Sequence, residues 1–254
     1  MMSPTPFTFV SASVSEVGFV RKLNEDACLD RPDLGLWAVA DGMGGHDSGD
    51  YASRLIVDLL GEMHVPHSAG ELLSEVRARL DRCNAILRDK AAERGEDSII
   101  ASTVVTLLVF GEHFACIWAG DSRLYRLRGP EFLQVSRDHS HVQEMVDMGV
   151  LSESEAGSHP QSNVVTRAVG ADDEVVLDKM RDWLQANDVF LLCSDGLTGV
   201  VPDAAIAEIL AQDDLDAAVQ QLVDTALARG SRDNITAVAV RCLPATGWEK
   251  TVPF

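Results

Sequence analysis

Strand-like and helical segments occur in separate blocks along the chain, and this arrangement constrains the fold more than any other feature. Short apolar or alternating runs at 7–14, 26–30 and 36–40 are typical of β-strands. Helical stretches follow at 48–62 and 70–94, and in the second of them apolar side chains recur at steps of three and four residues. Regular βαβ winding fits this order poorly, so we expect an α+β protein in which packed sheets are covered by helices.

The same patterns predict the rest of the chain. The later elements are strands at 102–109, 113–119, 122–127 and 132–135, two short helices within 139–157, strands at 164–168, 174–179 and 188–193, helices at 203–210 and 215–228, and a strand at 235–242.

The charge of the chain excludes two classes of partner. Forty acidic and 21 basic residues leave a formal charge of −19. A nucleic-acid binder needs a cationic surface to displace counterions from phosphates, and anionic lipid headgroups would repel the same acidic surface. We therefore expect neither nucleic-acid binding nor attachment to a membrane surface.

Cysteine spacing and hydropathy indicate a cytoplasmic location. The five cysteines are scattered and form no Cys-x-x-Cys pair, which predicts reduced, buried thiols. No run reaches the roughly 18 apolar residues of a membrane-spanning helix, and residues 1–10 lack the basic and apolar regions of a signal peptide. We expect a cytoplasmic monomer with no membrane insertion.

Four aspartates lie at the ends of strand-like runs, where an isolated carboxylate would be costly. Asp41, Asp121 and Asp195 each follow an apolar run and adjoin a glycine, whereas Asp233 lies just before a run. Any one of them is explained by a turn, but sheets bring strand ends together, so all four could meet at one rim. Clustered carboxylates repel one another unless cations neutralise them. Oxygen ligands without Cys or His favour Mg²⁺ or Mn²⁺, and a pair of such ions could activate water and hold a phosphoryl group.

Seven short segments read as motifs, at 18–26, 39–46, 120–123, 138–140, 166–170, 194–197 and 233–236. In this order they resemble the motifs of the metal-dependent protein serine/threonine phosphatases, the protein phosphatase 2C family, and specifically its bacterial single-domain members. The resemblance implies a central β-sandwich of two mostly antiparallel sheets flanked by helices on both sides, in four layers. It also implies one catalytic domain over residues 1–254, with a mobile flap at about 141–163 and a peripheral tail at about 244–254.

The resemblance further implies a metal centre that holds Mn²⁺ or Mg²⁺. Asp41 matches the carboxylate that bridges two ions, and Gly42 matches a residue whose carbonyl binds one of them. Asp195 and Asp233 match terminal ligands. The remaining implied metal residues are Glu25 and Asp26, which hold metal-bound waters, and Asp121, which shares a third, weaker ion with Asp195.

Two more residues carry implied catalytic roles. Arg21 matches the arginine that pairs with the substrate phosphate, and its planar guanidinium suits two-point contact with phosphate. His46 matches the general acid that protonates the leaving seryl or threonyl oxygen, and histidine titrates near neutral pH. For His139 we expect a structural role beside Asp138.

Four positions outside the implied ligand set depart from the usual bacterial pattern. Glu16 stands where aspartate is common, residues 101–103 read Ala-Ser-Thr instead of Gly-Thr-Thr, and Val169 replaces a common leucine. These changes leave the implied site intact and affect at most the fine geometry around the first strand.

The resemblance implies hydrolysis of phosphoserine and phosphothreonine by direct attack of a metal-bound hydroxide on phosphorus, reversing a bacterial kinase. Two alternatives stay open at this point: a binding module that has kept the fold without activity, and a phosphatase of small phosphomolecules. The stretch 35–50 also resembles stand-alone phosphatases that accompany type VI secretion kinases. That likeness implies two phosphorylated protein partners, a Ser/Thr kinase of the membrane and a protein with a forkhead-associated domain.

Overall fold

A computed structural model describes residues 6–44, 48–95, 98–157 and 159–245. Its strands, in chain order, are β1 (Phe7–Glu16), β2 (Asp26–Arg31), β3 (Leu36–Gly44), β4 (Ile100–Ser102), β5 (Val104–Phe110), β6 (His113–Ala119), β7 (Arg123–Arg128), β8 (Glu131–Gln134), β9 (Asp178–Trp183), β10 (Val189–Cys193) and β11 (Ile235–Pro244). Its helices are α1 (Gly49–Gly61), α2 (Ala69–Arg94), α3 (His141–Asp147), α4 (Glu153–Ala156), α5 (Asp195–Thr198), α6 (Asp203–Leu210) and α7 (Leu215–Ala228).

The strands form two sheets in which every ladder between described strands is antiparallel. The first sheet has the order β1-β11-β10-β7-β8, and the second has the order β2-β3-β5-β6-β9, with β4 paired to the end of β3. Helices α1 and α2 pack on the second sheet, and α5, α6 and α7 pack on the first. The expected α+β sandwich with helices on both sides is confirmed.

The alternation of side chains along the strands creates three apolar layers. In β3, Trp37 and Val39 point into the layer between the sheets, whereas Leu36 and Ala38 face the helices. This is the two-residue period of a strand that is buried on both faces. Burial on both faces explains why the central strands are almost continuous apolar runs.

Two strands were placed incorrectly by the sequence patterns. The segment predicted as a strand at 164–168 makes one isolated bridge, from Val165 to Ser140, and the next residue, Val169, bridges to Ser102 on β4. These two bridges go to different neighbours, so no ladder forms. The strand predicted at 174–179 is β9, which begins four residues later. Charged side chains occur on both faces of this edge strand, because Asp178 and Asp182 occupy half-buried positions and Lys179 and Arg181 exposed ones. The apolar alternation that would mark a strand is therefore missing.

The site region lies where the chain passes from one sheet to the other. The loop 17–25 connects β1 of the first sheet to β2 of the second, and the turn 120–122 connects β6 of the second sheet to β7 of the first. The end of β3, the end of β10 and the start of β11 lie beside these crossings. Among the described helices, none has the length and apolar character needed to cross a bilayer.

Candidate active site

A pocket of about 340 Å³ opens at these crossings and contains most of the predicted site. The predicted residues that line it are Arg21, Glu25, Asp41, Gly42, Asp121, Asp195 and Asp233. Asp26 is buried next to Asp41, its partner across the β2–β3 ladder. His46, the proposed acid, lies outside the described residues, as does the predicted tail after residue 245.

Asp26 is a buried carboxylate held by hydroxyl groups of the opposite sheet. The Ser194 hydroxyl donates to Asp26 Oδ2 at 2.7 Å, and the Ser194 hydroxyl oxygen accepts from the backbone N–H of Thr236 at 3.0 Å. Burial raises the pKa of Asp26 to about 7, and the charges of Asp195 and Asp233 add to this effect. A hydrogen bond between the sheets thus anchors the first carboxylate of the site.

Asp41 is fixed through its backbone by Thr103. The Asp41 N–H donates to Thr103 Oγ1 at 3.0 Å, and the Thr103 N–H donates to the Asp41 carbonyl at 2.8 Å. Burial first, and then the charges of Asp26, Asp195, Asp121 and Asp233, raise the pKa of Asp41 well above its usual value. This side chain therefore lies among like charges, as a carboxylate between cations would.

Gly42 is required by the close approach of two backbone segments. A Cβ at this position would lie 1.9 Å from the carbonyl oxygen of Gly49 and 2.8 Å from that of Glu25. The Gly42 N–H donates to the Glu25 carbonyl at 3.0 Å. Only glycine allows this contact, which holds the Glu25 loop against the end of β3.

Asp121 follows a strand of the second sheet and Asp195 follows a strand of the first, and burial and the negative charge of Asp195 both raise the pKa of Asp121. Asp121 lies on the β6–β7 turn and is 8% exposed. Burial raises its pKa to about 7, and among the neighbouring negative charges that of Asp195 adds most to the rise. Burial likewise raises the pKa of Asp195 to about 6, and Asp233 contributes to that rise. Metal-free, the pair has an unfavourable surplus of negative charge.

Arg21 pairs with Asp233 at the mouth of the pocket. Its Nη2 donates to Asp233 Oδ2 at 2.7 Å, and the two side chains are 48% and 36% exposed. The hydrogen bond from Arg21 to Asp233 raises the pKa of the guanidinium above its ordinary value. Arg21 is therefore the one cationic side chain among the described residues that line the acidic pocket.

Asn234 fastens the loop that carries Arg21 and Glu25. Its Nδ2 donates to the carbonyls of Val17 and Leu23, both at 2.9 Å, and its Oδ1 accepts from the Glu25 N–H at 2.9 Å. The amide of this one side chain thus closes both ends of the loop. Glu25 is half-buried as a result, and burial raises its pKa.

The donor set fits hydrated divalent cations better than a closed cage of protein ligands. Among the residues that the structure describes, no three His, Cys, Asp or Glu side chains converge tightly enough to enclose an ion. Mg²⁺ usually keeps several waters and takes only one or two carboxylates from the protein. Oxygen donors around an open pocket match that preference. Burial is the main cause of the raised carboxylate pKa values, and cations would relieve the repulsion that adds to it.

Some functional positions were not predicted from the sequence. Thr103 and Asn234 hold Asp41 and the 17–25 loop, although Asn234 lies inside a recognised motif and could have been found from its place beside Asp233. His139 was expected beside Asp138, but its Nε2 lies 3.1 Å from Asp178 Oδ2, and Asp138 instead pairs with Arg123 at 2.7 Å. Because the guanidinium of Arg123 binds the Asp138 carboxylate, the imidazole of His139 pairs with Asp178 on β9.

Comparison with known proteins identifies the family. The model of the protein phosphatase 2C family matches residues 20–238. The serine/threonine protein phosphatase PstP of Mycobacterium tuberculosis is 34% identical over 227 residues, which cover 89% of this chain and 44% of PstP. This chain thus spans less than half the length of that relative.

Solved structures are also similar. PppA, described as a key regulatory component of T6SS in Pseudomonas aeruginosa, has a TM-score of 0.87 at 45% identity, covering 93% of this chain and 98% of that chain. The catalytic domain of PstP in complex with two manganese ions has a TM-score of 0.84 at 32% identity, covering 93% of this chain and 99% of that chain. This chain therefore belongs to the protein phosphatase 2C family of serine/threonine protein phosphatases.

Proposed function

We propose that this chain hydrolyses phosphoserine and phosphothreonine in proteins, using Mn²⁺ or Mg²⁺, and that residues 1–254 act as one catalytic domain. The observation that carries the proposal is the convergence of Asp41, Asp121, Asp195 and Asp233 with Arg21 on one pocket. The carboxylates come from both sheets, so the pocket exists only in the folded sandwich. The two manganese ions in the PstP structure support the choice of metal.

Each carboxylate has a place in this proposal. Asp41 feels the charges of four other aspartates and would bridge two ions, with Asp195, Asp233 and the Gly42 carbonyl as further ligands. The acids Glu25 and Asp26 would hold metal-bound waters, and Asp121 would share a third ion with Asp195. When bound, the ions supply an activated water as nucleophile and neutralise phosphoryl charge.

Arg21 would bind the substrate phosphate. Its guanidinium is paired with Asp233, and a divalent cation on Asp233 would compete for that carboxylate. The released guanidinium can then make two-point contact with phosphoryl oxygens and stabilise their charge during in-line displacement. His46 would donate a proton to the departing seryl or threonyl oxygen.

The alternatives differ in what they predict. A binding module without activity would be expected to lack one of the metal-holding carboxylates or Arg21, and each of these residues is present. A phosphatase of small phosphomolecules would share the same phosphate site, so substrate preference has to separate it from a protein phosphatase.

The biological partners are proposed from the P. aeruginosa comparison. Similarity to PppA at 45% identity supports a role in which this chain reverses a Ser/Thr kinase of a type VI secretion pathway. The proposed substrates are then that kinase and its forkhead-associated partner protein, both in phosphorylated form.

Hydrolysis of a phosphothreonine peptide tests the function directly. We expect phosphate release with Mn²⁺ or Mg²⁺, none with EDTA, and none from Asp195→Asn. Asp216→Asn, an exposed aspartate on α7, is the matched control and should retain activity. Folded protein that is silent with every metal would instead indicate a binding module. A strong preference for small phosphate esters over the peptide would indicate the second alternative.

A further inference from the structure

His139 is a buried histidine that contacts the turn carrying Asp121. Its side chain is 7% exposed. The Gly120 N–H donates to His139 Nδ1 at 3.2 Å, and the His139 N–H donates to the Gly120 carbonyl at 2.9 Å. The residue immediately before Asp121 is therefore held at both backbone groups by one histidine.

These contacts determine which ring nitrogen carries the proton. A backbone N–H can only donate, so Nδ1 must be the unprotonated nitrogen, and a neutral ring then has its proton on Nε2. That proton points to Asp178 Oδ2 at 3.1 Å. Arg167 Nη1 donates to the other oxygen of Asp178 at 3.2 Å and lies 3.4 Å from His139 Nε2, and with the proton on Nε2 its hydrogen bond goes to Asp178. Burial lowers the pKa of His139, which agrees with a neutral ring.

The turn has a second support on its other side. Gly120 has a φ of +112°, and a Cβ there would lie 2.5 Å from Thr103 Cβ. Thr103 Oγ1 also lies 2.8 Å from the Ser122 hydroxyl and accepts from the Asp41 N–H. The turn is thus confined between Thr103, which it shares with Asp41, and the imidazole of His139.

His139 also connects this turn to the segment proposed as a flap. The Thr166 N–H donates to the His139 carbonyl at 2.8 Å, and the His141 N–H donates to the Val164 carbonyl at 2.9 Å. Residues 139–141 therefore lie against 164–166, where the helical segment leaves and rejoins the sandwich. The ring stacks on Trp118 with centroids 6.0 Å apart and planes at 14°.

We propose that His139, protonated on Nε2 and oriented by Asp178 and Arg167, is a positioning residue that fixes the Gly120 turn so that Asp121 faces Asp195. The inference rests on the proposed function, in which Asp121 helps to hold the third ion. It assigns the role to the acceptor nitrogen and not to the bulk of the ring.

Two substitutions separate the acceptor from the rest of the ring. In His139→Asn the amide oxygen can occupy the place of Nδ1 and keep the bond from Gly120, while the contact with Asp178 is lost. In His139→Gln the amide nitrogen can occupy the place of Nε2 and keep the contact with Asp178, while Gly120 loses its acceptor. His64→Gln, at an exposed histidine, is the control.

The experiment uses the full chain. NMR of the ¹⁵N-labelled, metal-free protein gives the tautomer of His139 and the hydrogen-exchange rate of the Gly120 amide, and a Mn²⁺ titration followed by electron paramagnetic resonance gives the weakest binding step. We expect the Nε2–H tautomer in the wild type. In His139→Gln we expect faster exchange of the Gly120 amide and roughly 10-fold or greater weakening of that Mn²⁺ step. His139→Asn should keep wild-type values of both.

Several results would overturn the inference. An Nδ1–H tautomer contradicts it even if neither variant folds, because the wild type alone decides this point. Equal weakening in the Asn and Gln variants would mean that the ring acts by packing only. The tautomer and amide exchange are measured without metal or substrate, so an inactive wild type that shows the expected tautomer would refute the proposed function and leave the positioning role in place.

Discussion

Replacing Asp121 by asparagine should stabilise the metal-free protein at high pH. Asp121 is 8% exposed, and burial together with the charges of Asp195 and Asp138 raises its pKa to about 7. Without a cation, the ionised Asp121 carboxylate is therefore a buried negative charge close to other negative charges in the folded state. Asparagine has nearly the same shape and cannot ionise.

The sign and size of the effect follow from the raised pKa. In the unfolded chain an aspartate titrates near pH 3.9, so between this value and about 7 the folded state binds the additional proton. The stabilisation due to that proton is complete below about pH 4 and is lost as the pH rises through about 7. A pKa raised from 3.8 to about 7 corresponds to about 4 kcal/mol. Asp121→Asn should thus gain up to about 4 kcal/mol over the wild type at pH 8, and nothing near pH 4.

Thermal unfolding in EDTA, followed by circular dichroism from pH 4 to pH 8.5, measures this difference. At roughly 2–4 °C per kcal/mol, the variant should melt up to roughly 8–16 °C above the wild type at pH 8. Asp213→Asn, an exposed aspartate, controls for the change in net charge and should follow the wild type. With Mn²⁺ the wild type should gain more than Asp121→Asn. Equal melting temperatures for the wild type and Asp121→Asn at pH 8 without metal would refute the reasoning.

Four further outcomes can be checked with single variants. Asp41→Asn should abolish phosphopeptide hydrolysis at saturating Mn²⁺ because it removes the proposed bridging charge, and near wild-type turnover would make that assignment wrong. His46→Ala should slow hydrolysis of phosphothreonine far more than that of an activated aryl phosphate, whose leaving group needs little protonation; equal losses would argue against His46 as the acid. Gly42→Ala should lower the free energy of unfolding in urea by about 1–3 kcal/mol or more, because its Cβ would lie 1.9 Å from a carbonyl oxygen. Ser194→Ala should cost about 1–3 kcal/mol in the same assay, since Asp26 and the Thr236 amide both lose their partner, and an unchanged midpoint would contradict the role given to that hydroxyl.

The layered fold and the clustering of the acids could be predicted because both follow from local patterns. Strand ends share a rim, so aspartates that end apolar runs, such as Asp41 and Asp195, were expected to meet, and they line one pocket. The partners that hold them could not be predicted in this way. Ser194 bonds Asp26 across 168 positions, and no periodicity in the sequence records such a pairing.

Contacts between residues distant in sequence also explain the errors at the edge of the second sheet. His139 was expected to have a structural role beside Asp138, and its imidazole contacts Asp178 on β9 instead of its sequence neighbour. That strand carries charged residues on its exposed face, as edge strands often do to avoid pairing with other chains. The partner of His139 and the start of β9 were both missed because Asp178 makes a contact distant in sequence, which the local apolar pattern does not show.

The pairing of β1 with β11 determines when the site can form during synthesis. Residues 7–16 of β1 pair antiparallel with residues 235–244 of β11. This ladder can therefore form only after β11 has been synthesised and has left the ribosome. A nascent chain that has reached Trp183 contains every strand of the second sheet, together with Asp26, Asp41 and Asp121. It contains neither Asp195 nor Asp233. Contacts between such distant segments form slowly because loop closure is costly, so we expect the metal pocket to be among the last parts of the molecule to assemble.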